Sequence, residues 1–291
     1  MTRDPSVEFE AQSGRLFAVA YRMLGSRSDA EDMLQETYLR WHGADRPSIE
    51  DPRSWMTTVI TRLCIDRLRE RRKMRSDYPG DWLPEPLDLE AEAPNRDAEL
   101  AEDLSIAFLI MMERLAPTER AAFLLREVFG YSYGEMARIL GKGEAACRQV
   151  VRRARERVRL GEARFSLPES DRRDMVERFI DALVRIDEEA LLGLLATDVS
   201  WRADGGGKVP AVSRTVRGPR AVSRLALGLA RRFRGSVRYQ PKKVNGQWEV
   251  VVHYGGRVVS VLAVETDGKT IHGFYNVLNP DKLRDFLNGR H

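Results

Sequence analysis

The chain is poor in features that mark secreted, membrane-spanning and metal-binding proteins. Its 291 residues include two cysteines, Cys64 and Cys147, which lie far apart and belong to no CxxC or Cys/His cluster. No run of eighteen apolar residues could form a transmembrane helix. The N-terminal MTRDPSVEFEAQSG also lacks the apolar h-region of a secretory signal. We therefore expect a cytoplasmic protein with no membrane partner, no metal and no cofactor, in which both cysteines are small core residues.

Motifs for a catalytic nucleophile, a metal or a cofactor are also missing, so the sequence predicts no enzymatic activity and no catalytic residue. Asp204, His253 and His272 are the candidates for an acid–base pair in the C-terminal part of the chain. Isolated histidines in strands are more often structural, and a regulatory role for this part of the chain is favoured over catalysis.

Charge is strongly segregated, although the net charge is only +4. Residues 53–75 hold eight basic side chains against two acids, and residues 142–164 hold eight against three. Residues 81–103, between them, hold nine acids against Arg96 alone. Two basic modules joined by an acidic tether indicate a polyanionic partner, and nucleic acid is the one we expect.

The hydrophobic pattern divides the chain into four parts. Residues 6–76 and 104–160 have helical spacing, and the Pro-rich acidic segment 77–103 has the composition of a linker. From 170 onward, two helical patterns precede strand-like runs with turns at Asn245–Gly246, Gly255–Gly256 and Asp267–Gly268. The fold class predicted is multidomain: two all-α modules, then an α+β domain with a curved antiparallel sheet.

A helix-turn-helix is predicted over residues 133–152. Ala137 is small where two helices cross, and Gly141 occupies the turn, where a left-handed backbone costs glycine little. Arginine and glutamine can contact base edges bidentately, while the following arginines suit phosphates. An ordinary αα-hairpin with a basic surface is the alternative. The second helix would present one face to a major groove: Glu144, Ala145, Arg148, Gln149, Arg152 and Arg153.

Three stretches resemble known regions of one family. Residues 115–158 resemble sigma region 4, which recognises the −35 promoter element. Residues 28–42 (SDAEDMLQETYLRWH) resemble the region 2 helix that binds the clamp of RNA polymerase, and residues 54–74 resemble the neighbouring −10 helix. Their order and spacing are typical of extracytoplasmic-function sigma factors. DWLPEP (81–86), NPDKL (279–283) and DGGGKVPA (204–211) resemble the subfamily with a fused C-terminal SnoaL-like cone.

The resemblance implies the following boundaries: region 2 at 1–76, a linker at 77–103, region 4 at 104–165 and a SnoaL-like regulatory domain at 170–291. It implies core RNA polymerase (its largest-subunit clamp and its flap) and promoter DNA as partners, with a possible small ligand in the cone. Polymerase-binding residues would be Asp29, Glu31, Asp32, Gln35 and Glu36. The −10 element would be bound by Arg46, Ser48, Asp51, Arg62, Arg67, Arg69 and Arg71.

The linker has two interpretations. Its prolines and acids could keep it extended as a spacer, or Trp82 and Leu83, too apolar to remain in water, could dock on the C-terminal domain. We favour docking, with cis-regulation through Trp82, Leu83, Pro84, Glu85, Pro86, Asn279, Pro280, Asp281, Lys282 and Leu283. The alternative function is a one-component helix-turn-helix regulator with a ligand-sensing SnoaL-like domain.

Overall fold

The computed structural model describes residues 5–74, 78–88, 105–158 and 167–287. These residues form two compact units. The described part of the first unit consists of residues 5–74 and 111–158. The second consists of residues 78–88, 105–110 and 167–287. The segment 78–88, which lies in the predicted linker, therefore belongs to the same unit as the C-terminal domain.

Three helices begin the first unit: α1 (Pro5–Leu24), α2 (Arg27–His42) and α3 (Pro52–Met74), with a 3₁₀ turn at Arg46–Ser48. Ser26 caps α2, because its extended backbone lets its hydroxyl accept the Asp29 N–H at 3.4 Å.

The apolar stripes of these helices meet in one core. Phe17 and Tyr21 of α1, Trp41 of α2, and Met56 and Ile60 of α3 are all fully buried. The two indole rings of Trp41 and Trp55 lie 5.6 Å apart. Cys64 is buried in the same region and burial raises the pKa of its thiol, as expected of a structural cysteine.

Four helices lie between residues 106 and 158: α4 (Ile106–Met112), α5 (Pro117–Phe123), α6 (Tyr133–Leu140) and α7 (Glu144–Val158). Most of α4 belongs to the second unit, which includes residues 105–110, and the other three helices complete the first unit. A π-helical segment, Leu124–Val128, follows α5 directly, where the sequence predicts continuous α-helix. Ser132 and Glu135 form a capping box at the start of α6. Gly141 ends α6 with φ 62° and ψ 41°, which confirms the predicted left-handed turn.

The second unit places helices on a six-stranded sheet. Its helices are α8 (Glu169–Arg185), α9 (Glu188–Leu194), α10 (Pro219–Arg232) and the short α11 (Arg284–Leu287), with a 3₁₀ turn at Pro280–Lys282. Its strands are β1 (Leu195–Asp204), β2 (Val216–Arg217), β3 (Val237–Val244), β4 (Gln247–Tyr254), β5 (Arg257–Thr266) and β6 (Ile271–Val277).

The strand order is β2-β1-β6-β5-β4-β3, and β1 runs parallel to β6. The prediction of an antiparallel sheet is therefore correct for the other pairings and wrong for this one. The predicted turns at Asn245–Gly246 and Gly255–Gly256 join antiparallel neighbours, whereas β1 and β6 pair across a long connection. Turn chemistry cannot reveal the direction of such a pair. Helix α10 was also not predicted from the sequence.

Two apolar clusters cover the two faces of this sheet. Helices α8, α9 and α10 pack on one face, around Phe179, Trp201 and Phe274. The other face is covered by Leu83 of the 78–88 segment, Ile106 and Ile110 of α4, and residues near α11. A strand buried on both faces alternates between the two clusters, as Val250 and Val251 do in β4.

Candidate nucleic-acid interface and linker site

Helix α7 presents the predicted recognition face to solvent. Cys147, Val150 and Val151 on its opposite side are buried against Met136 and Ile139 of α6, so the rotation of the helix is fixed by this small core. All six predicted base- and phosphate-contacting residues are exposed: Glu144, Ala145, Arg148, Gln149, Arg152 and Arg153. The structure thus brings them together on one face, a geometry that can enter a major groove.

Two further arginines of α7 have protein partners. The Arg155 guanidinium contacts the Glu127 carboxylate at 2.8 Å, and Arg157 contacts Glu119 at 2.5 Å. The sequence interpretation assigned both side chains to DNA phosphates. In the structure they instead tie α7 to α5 and to the π-helical segment, so they help to hold the recognition helix in place.

Asp29 is the clearest difference between the predicted and observed environments. It was expected on the exposed polar face of α2, yet its side chain is 7% exposed. Its Oδ1 accepts hydrogen bonds from Arg67 at 2.7 and 3.0 Å, and its Oδ2 contacts Arg71. This bonding raises the pKa of Arg67. Asp29 therefore connects α2 to α3, and its predicted place on the exposed polymerase-facing surface is wrong.

The same contacts change the expectation for the −10 residues of α3. Arg67 and Arg71 are half-buried against Asp29, and Arg71 Nη1 also donates to the Leu24 carbonyl at 2.8 Å. These two arginines link the helices of the first unit and are not free surface cations, contrary to the prediction. Arg69, in contrast, is exposed and pairs with Asp66 one turn away.

Arg62 contacts the helix-turn-helix. Its Nε donates to the Ile139 carbonyl at 3.1 Å and its Nη2 to the Arg138 carbonyl at 3.3 Å. These carbonyls lie at the C-terminal end of α6, where a cation is favoured by the helix dipole and by carbonyls left without helical partners. Nearby, the Tyr131 hydroxyl donates to Thr57 Oγ1 at 3.1 Å. Helix α3 and the helix-turn-helix segment therefore contact each other within the first unit.

The loop between α2 and α3 holds the remaining predicted −10 residues. Asp51 Oδ1 accepts the Ser54 N–H at 3.1 Å, and the Ser48 hydroxyl donates to the Asp45 carbonyl at 2.6 Å. Both side chains are exposed, and Arg46 is half-buried. Asp51 acts locally at the N-terminus of α3, a role that sequence reasoning missed.

The other predicted polymerase-binding residues lie on the surface of α2. Glu31, Asp32 and Gln35 are exposed, and Glu36 is half-buried. Glu31 and Glu36 form i,i+4 ion pairs with Arg27 and Arg40 at 2.9 and 2.8 Å. Such exposed pairs contribute little and are readily exchanged for a partner's charges.

A buried polar centre joins the 78–88 segment to the C-terminal domain. The Asp204 carboxylate is fully buried at the end of β1. Its Oδ1 accepts from the Tyr78 hydroxyl at 2.6 Å and from the Gly206 N–H at 3.0 Å. Its Oδ2 accepts from the Leu83 N–H at 2.9 Å and from Lys282 Nζ at 2.7 Å. We call Asp204, Lys282, Tyr78 and Leu83 the linker clamp.

Lys282 holds the segment from its other side. Its ammonium donates to the Leu83 carbonyl at 2.5 Å and lies 4.0 Å from the centre of the Trp82 ring, a cation–π geometry. Asn279 Nδ2 approaches the Tyr78 hydroxyl at 3.2 Å. Burial, followed by the hydrogen bond to Asp204, raises the pKa of Tyr78, so this phenol remains a donor.

The segment continues along the sheet. The Leu87 N–H donates to Asn245 Oδ1 at 2.9 Å, and the Asn245 N–H donates back to the Leu87 carbonyl at 3.0 Å. Pro84, Glu85 and Pro86 are buried, and Leu83 lies in the apolar cluster with Leu283. The predicted docking of Trp82 and Leu83 on the C-terminal domain is confirmed. Of the NPDKL residues, Pro280 and Asp281 stay exposed.

Sequence reasoning overlooked Tyr78 and assigned Asp204 only to a possible acid–base pair. The glycines after Asp204 carried the missing signal, because a Cβ on Gly206 would lie 2.3 Å from Asn279 Nδ2. That position needs glycine for close approach as well as for its φ of 59°.

The three acid–base candidates do not form one site. Asp204 belongs to the linker clamp, His253 Nε2 lies 2.9 Å from Gln240 Oε1, and His272 lies 3.1 Å from both Asp198 and Asp267. Across the four described ranges no group of histidine, cysteine and acidic residues could hold a metal ion, and no helix could cross a membrane. Arg75, the acids at 89–103, Arg159, Glu162 and Arg164 lie outside the described residues.

Comparisons with known proteins agree with this geometry. Residues 9–74 match the Sigma-70 region 2 family and residues 105–158 match Sigma-70 region 4. The chain is 37% identical to the ECF RNA polymerase sigma factor SigJ of Mycobacterium tuberculosis over 95% of this chain and 92% of SigJ. It is 32% identical to the probable ECF RNA polymerase sigma factor SigI of that organism, over 74% of this chain and 76% of SigI.

The match to the crystal structure of M. tuberculosis SigJ covers 96% of this chain and 98% of the SigJ chain, with a TM-score of 0.78 and 35% identity. A one-component regulator is not favoured by these matches. Because a relative matches over nearly the whole chain and both sigma-70 regions are present in order, the chain belongs to the extracytoplasmic-function (ECF) RNA polymerase sigma factors.

Proposed function

We propose that this sigma factor directs promoter-specific initiation under control of its own C-terminal domain, which acts by holding the start of the linker. The observation that carries the proposal is the linker clamp. A buried carboxylate and a buried ammonium both bind the backbone of Leu83. A linker fixed at that point has less freedom to place the two DNA-binding modules, so its attachment affects how both engage a promoter.

The partners follow the family, whose members bind core RNA polymerase and promoter DNA and are generally not enzymes. On α2, the exposed Glu31, Asp32 and Gln35 and the half-buried Glu36 would contact basic residues of the polymerase clamp. Region 4 would contact the flap. The exposed face of α7 would contact the −35 element, and Arg46, Ser48, Asp51, Arg62 and Arg69 the −10 element. We assign the domains as 1–76, 77–103, 104–165 and 170–291, in a cytoplasmic protein.

The test is transcription in vitro with core RNA polymerase and a randomised promoter library, followed by sequencing of the transcripts. The full-length chain is compared with Lys282→Met, which keeps the length of the side chain and removes its charge. We expect start sites that require the added chain, with a common −35 and −10 pattern. We also expect a changed initiation rate, or altered promoter spacing, for Lys282→Met.

Lys208→Met is the matched control, because Lys208 pairs with Asp281 on the exposed surface of the same domain. Equal rates and spacing for the two lysine variants and the unmodified chain would reject control through the linker clamp. Specific DNA binding without polymerase-dependent initiation would reject the proposed function.

A further inference from the structure

The sheet of the second unit carries a cavity on the face opposite the linker clamp. Its volume is about 480 Å³, and it lies between the sheet and helix α10. Trp201, Ala226, Val252 and Leu262 in its lining belong to the cluster that α10 covers, whereas Leu83 belongs to the other cluster. A cavity of this size accommodates an organic molecule of moderate size.

The rim of the cavity is unusually apolar for a surface in contact with water. Among the described residues seven large hydrophobic side chains are exposed, and four of them line this cavity: Leu229, Phe233, Tyr254 and Val259. The Phe233 and Tyr254 rings meet edge to face at 5.9 Å. Exposed apolar side chains concentrated around one opening indicate a binding site.

Irregular strand pairing contributes to this rim. Val252 pairs with Ser260, whereas the next residue, His253, pairs with Val258, so Val259 is an extra residue in β5. Such a bulge rotates side chains away from the regular alternation. Val259 and Ser260 both line the cavity, although they are consecutive in a strand. Bulges frequently occur where a site needs a side chain aimed in this way.

The polar groups of the cavity are few and are mainly donors. Inside, the Ser260 hydroxyl donates to Asn276 Oδ1 at 2.5 Å, which leaves the Asn276 amide N–H groups directed elsewhere. Tyr239 contributes a phenol, whose pKa is raised by burial, so it is a neutral donor. Among the described residues of the lining, Arg232, exposed at the end of α10, is the charged one, and none is a carboxylate or a histidine.

We propose that this cavity binds a small anionic amphiphile: a carboxylic acid whose apolar body fills the cavity and whose carboxylate meets Arg232 at the rim. An apolar lining with one cation and no anion fits such a molecule and disfavours a cationic one, which would meet Arg232 as a like charge. An uncharged analogue fits the lining equally well but lacks the ion pair.

A second copy of the chain is the competing occupant of the rim. A protein surface would cover Leu229, Phe233, Tyr254 and Val259. It would leave the interior of about 480 Å³ empty, however, and would offer no acceptor to the polar groups inside. The interior donors therefore favour a molecule that enters. Ligand binding in this cavity does not depend on the linker clamp, so failure of either test leaves the other unaffected.

The test uses isothermal titration calorimetry on the full-length chain with three probes of the same chain length, all below their micelle concentrations: decanoate, decanol and decyltrimethylammonium. We expect decanoate to bind about threefold to tenfold more tightly than decanol, the range of one charge-assisted contact at a partly exposed site. The cationic probe should bind most weakly. Equal binding of anion and cation, or binding of none of the probes, would overturn the proposal.

Two arginines at the end of α10 supply a matched pair of variants. Arg232→Gln should abolish the difference between decanoate and decanol, whereas Arg231→Gln, which alters a residue outside the lining, should leave it unchanged. Val259→Trp, at an exposed position of the rim, should weaken decanoate and decanol at least tenfold by obstructing entry. Unaltered binding by Val259→Trp would place the probes elsewhere and overturn the proposal.

Sedimentation velocity of the same proteins tests whether a second copy of the chain, and not a ligand, occupies the rim. A dimer that Val259→Trp dissociates, in a protein that does not bind decanoate, would identify this face as an interface and reject the ligand. A hydrodynamic size that Val259→Trp leaves unchanged, together with decanoate binding that it weakens, supports the proposal.

Discussion

At the scale of single residues, buried charges in this protein connect segments that are distant in sequence. Asp204 and Lys282 are separated by 78 positions and both reach the backbone of Leu83. Asp29 likewise connects α2 to Arg67 and Arg71 of α3. A buried pair of this kind stabilises little compared with apolar packing, but the loss of one partner is expensive because a charge stays buried without compensation.

Replacing Lys282 with methionine should release the 78–88 segment. Asp204 would lose its ammonium partner, at a local cost on the order of 3–5 kcal/mol. Hydrogen exchange followed by mass spectrometry should show faster exchange at Leu83 and Leu87, whose amides donate to Asp204 and Asn245. Lys208→Met, which breaks an exposed pair, should cost less than about 1 kcal/mol. Protection that survives Lys282→Met would show that apolar contacts alone hold the segment.

Glu249 predicts a pH dependence for the sheet. The carboxyl is buried in β4, and burial raises its pKa to about 8, although Arg172 and the Val264 N–H oppose the shift. Between the two pKa values, the folded state keeps the Glu249 carboxyl protonated. The unfolded state, in which the pKa of this carboxyl is lower, has already released the proton. The free energy of unfolding should therefore fall as pH rises from about 5 to about 8, by at most about 1.4 kcal/mol per pH unit.

Glu249→Gln removes this titration and should flatten the pH dependence while it retains an oxygen that can accept the Val264 N–H. The measurement is hydrogen exchange of peptides from β4 and β5 between pH 5 and pH 8, corrected for intrinsic exchange. The same slope in both proteins would assign the pH dependence to other groups.

At the scale of elements, the exposed face of α7 carries side chains suited to two kinds of contact with DNA. Gln149, facing outward, can hydrogen-bond the edge of a base, whereas Arg153 follows on the same exposed face and suits a phosphate. The core of Cys147, Val150 and Val151 keeps both in place. Substitutions at the two positions should therefore have different effects.

Gln149→Ala should relax sequence preference at one position of the −35 element, at a cost of about 1–3 kcal/mol for the preferred base. Arg153→Ala should weaken binding to every sequence about equally and reduce the slope of log K against log salt by about one. Both are measured by holoenzyme binding to promoter variants selected from the library, at several salt concentrations. If the loss of binding caused by Arg153→Ala depended on the promoter sequence, Arg153 would be the base-contacting residue and the two assignments would be reversed.

At the scale of the molecule, the contacts inside the first unit conflict with the geometry of a promoter. Arg62 and Thr57 of α3 bind the Ile139 carbonyl and Tyr131 of the region 4 module. The −10 and −35 elements are about 25 base pairs apart, which is about 85 Å at about 3.4 Å per base pair. Modules in direct contact cannot span that distance, so we expect the unit to open when it binds a promoter.

Distance measurements by double electron–electron resonance would detect this opening. Both native cysteines are buried, so spin labels can be directed to Glu10→Cys on α1 and Glu156→Cys on α7. We expect a short distance in the free protein and one longer by tens of ångströms in the holoenzyme on DNA. Arg62→Ala with Tyr131→Phe should increase the open fraction of the free protein, whereas Arg69→Ala should not. An unchanged distance in the holoenzyme would reject opening.

The local features of this protein follow from local sequence. The helix-turn-helix was predictable because Gly141, Ala137 and the apolar spacing act over a few residues, and the hairpins at Asn245–Gly246 and Gly255–Gly256 follow from turn chemistry. The exposed face of α7 followed from helical periodicity alone. The family resemblance was readable for the same reason, since its motifs are short and occur in a fixed order.

Only the tertiary structure decided which charges are buried and which strands pair across long connections. Nothing in the sequence near Asp29, Arg67 or Arg71 separates a surface charge from an interhelical bridge, because burial depends on what packs above each side chain. The parallel β1–β6 pair, the linker clamp and the apolar cavity under α10 likewise depend on residues separated by tens to hundreds of positions. Periodicity indicates which way a side chain faces, whereas its partner is determined by the packing of the whole domain.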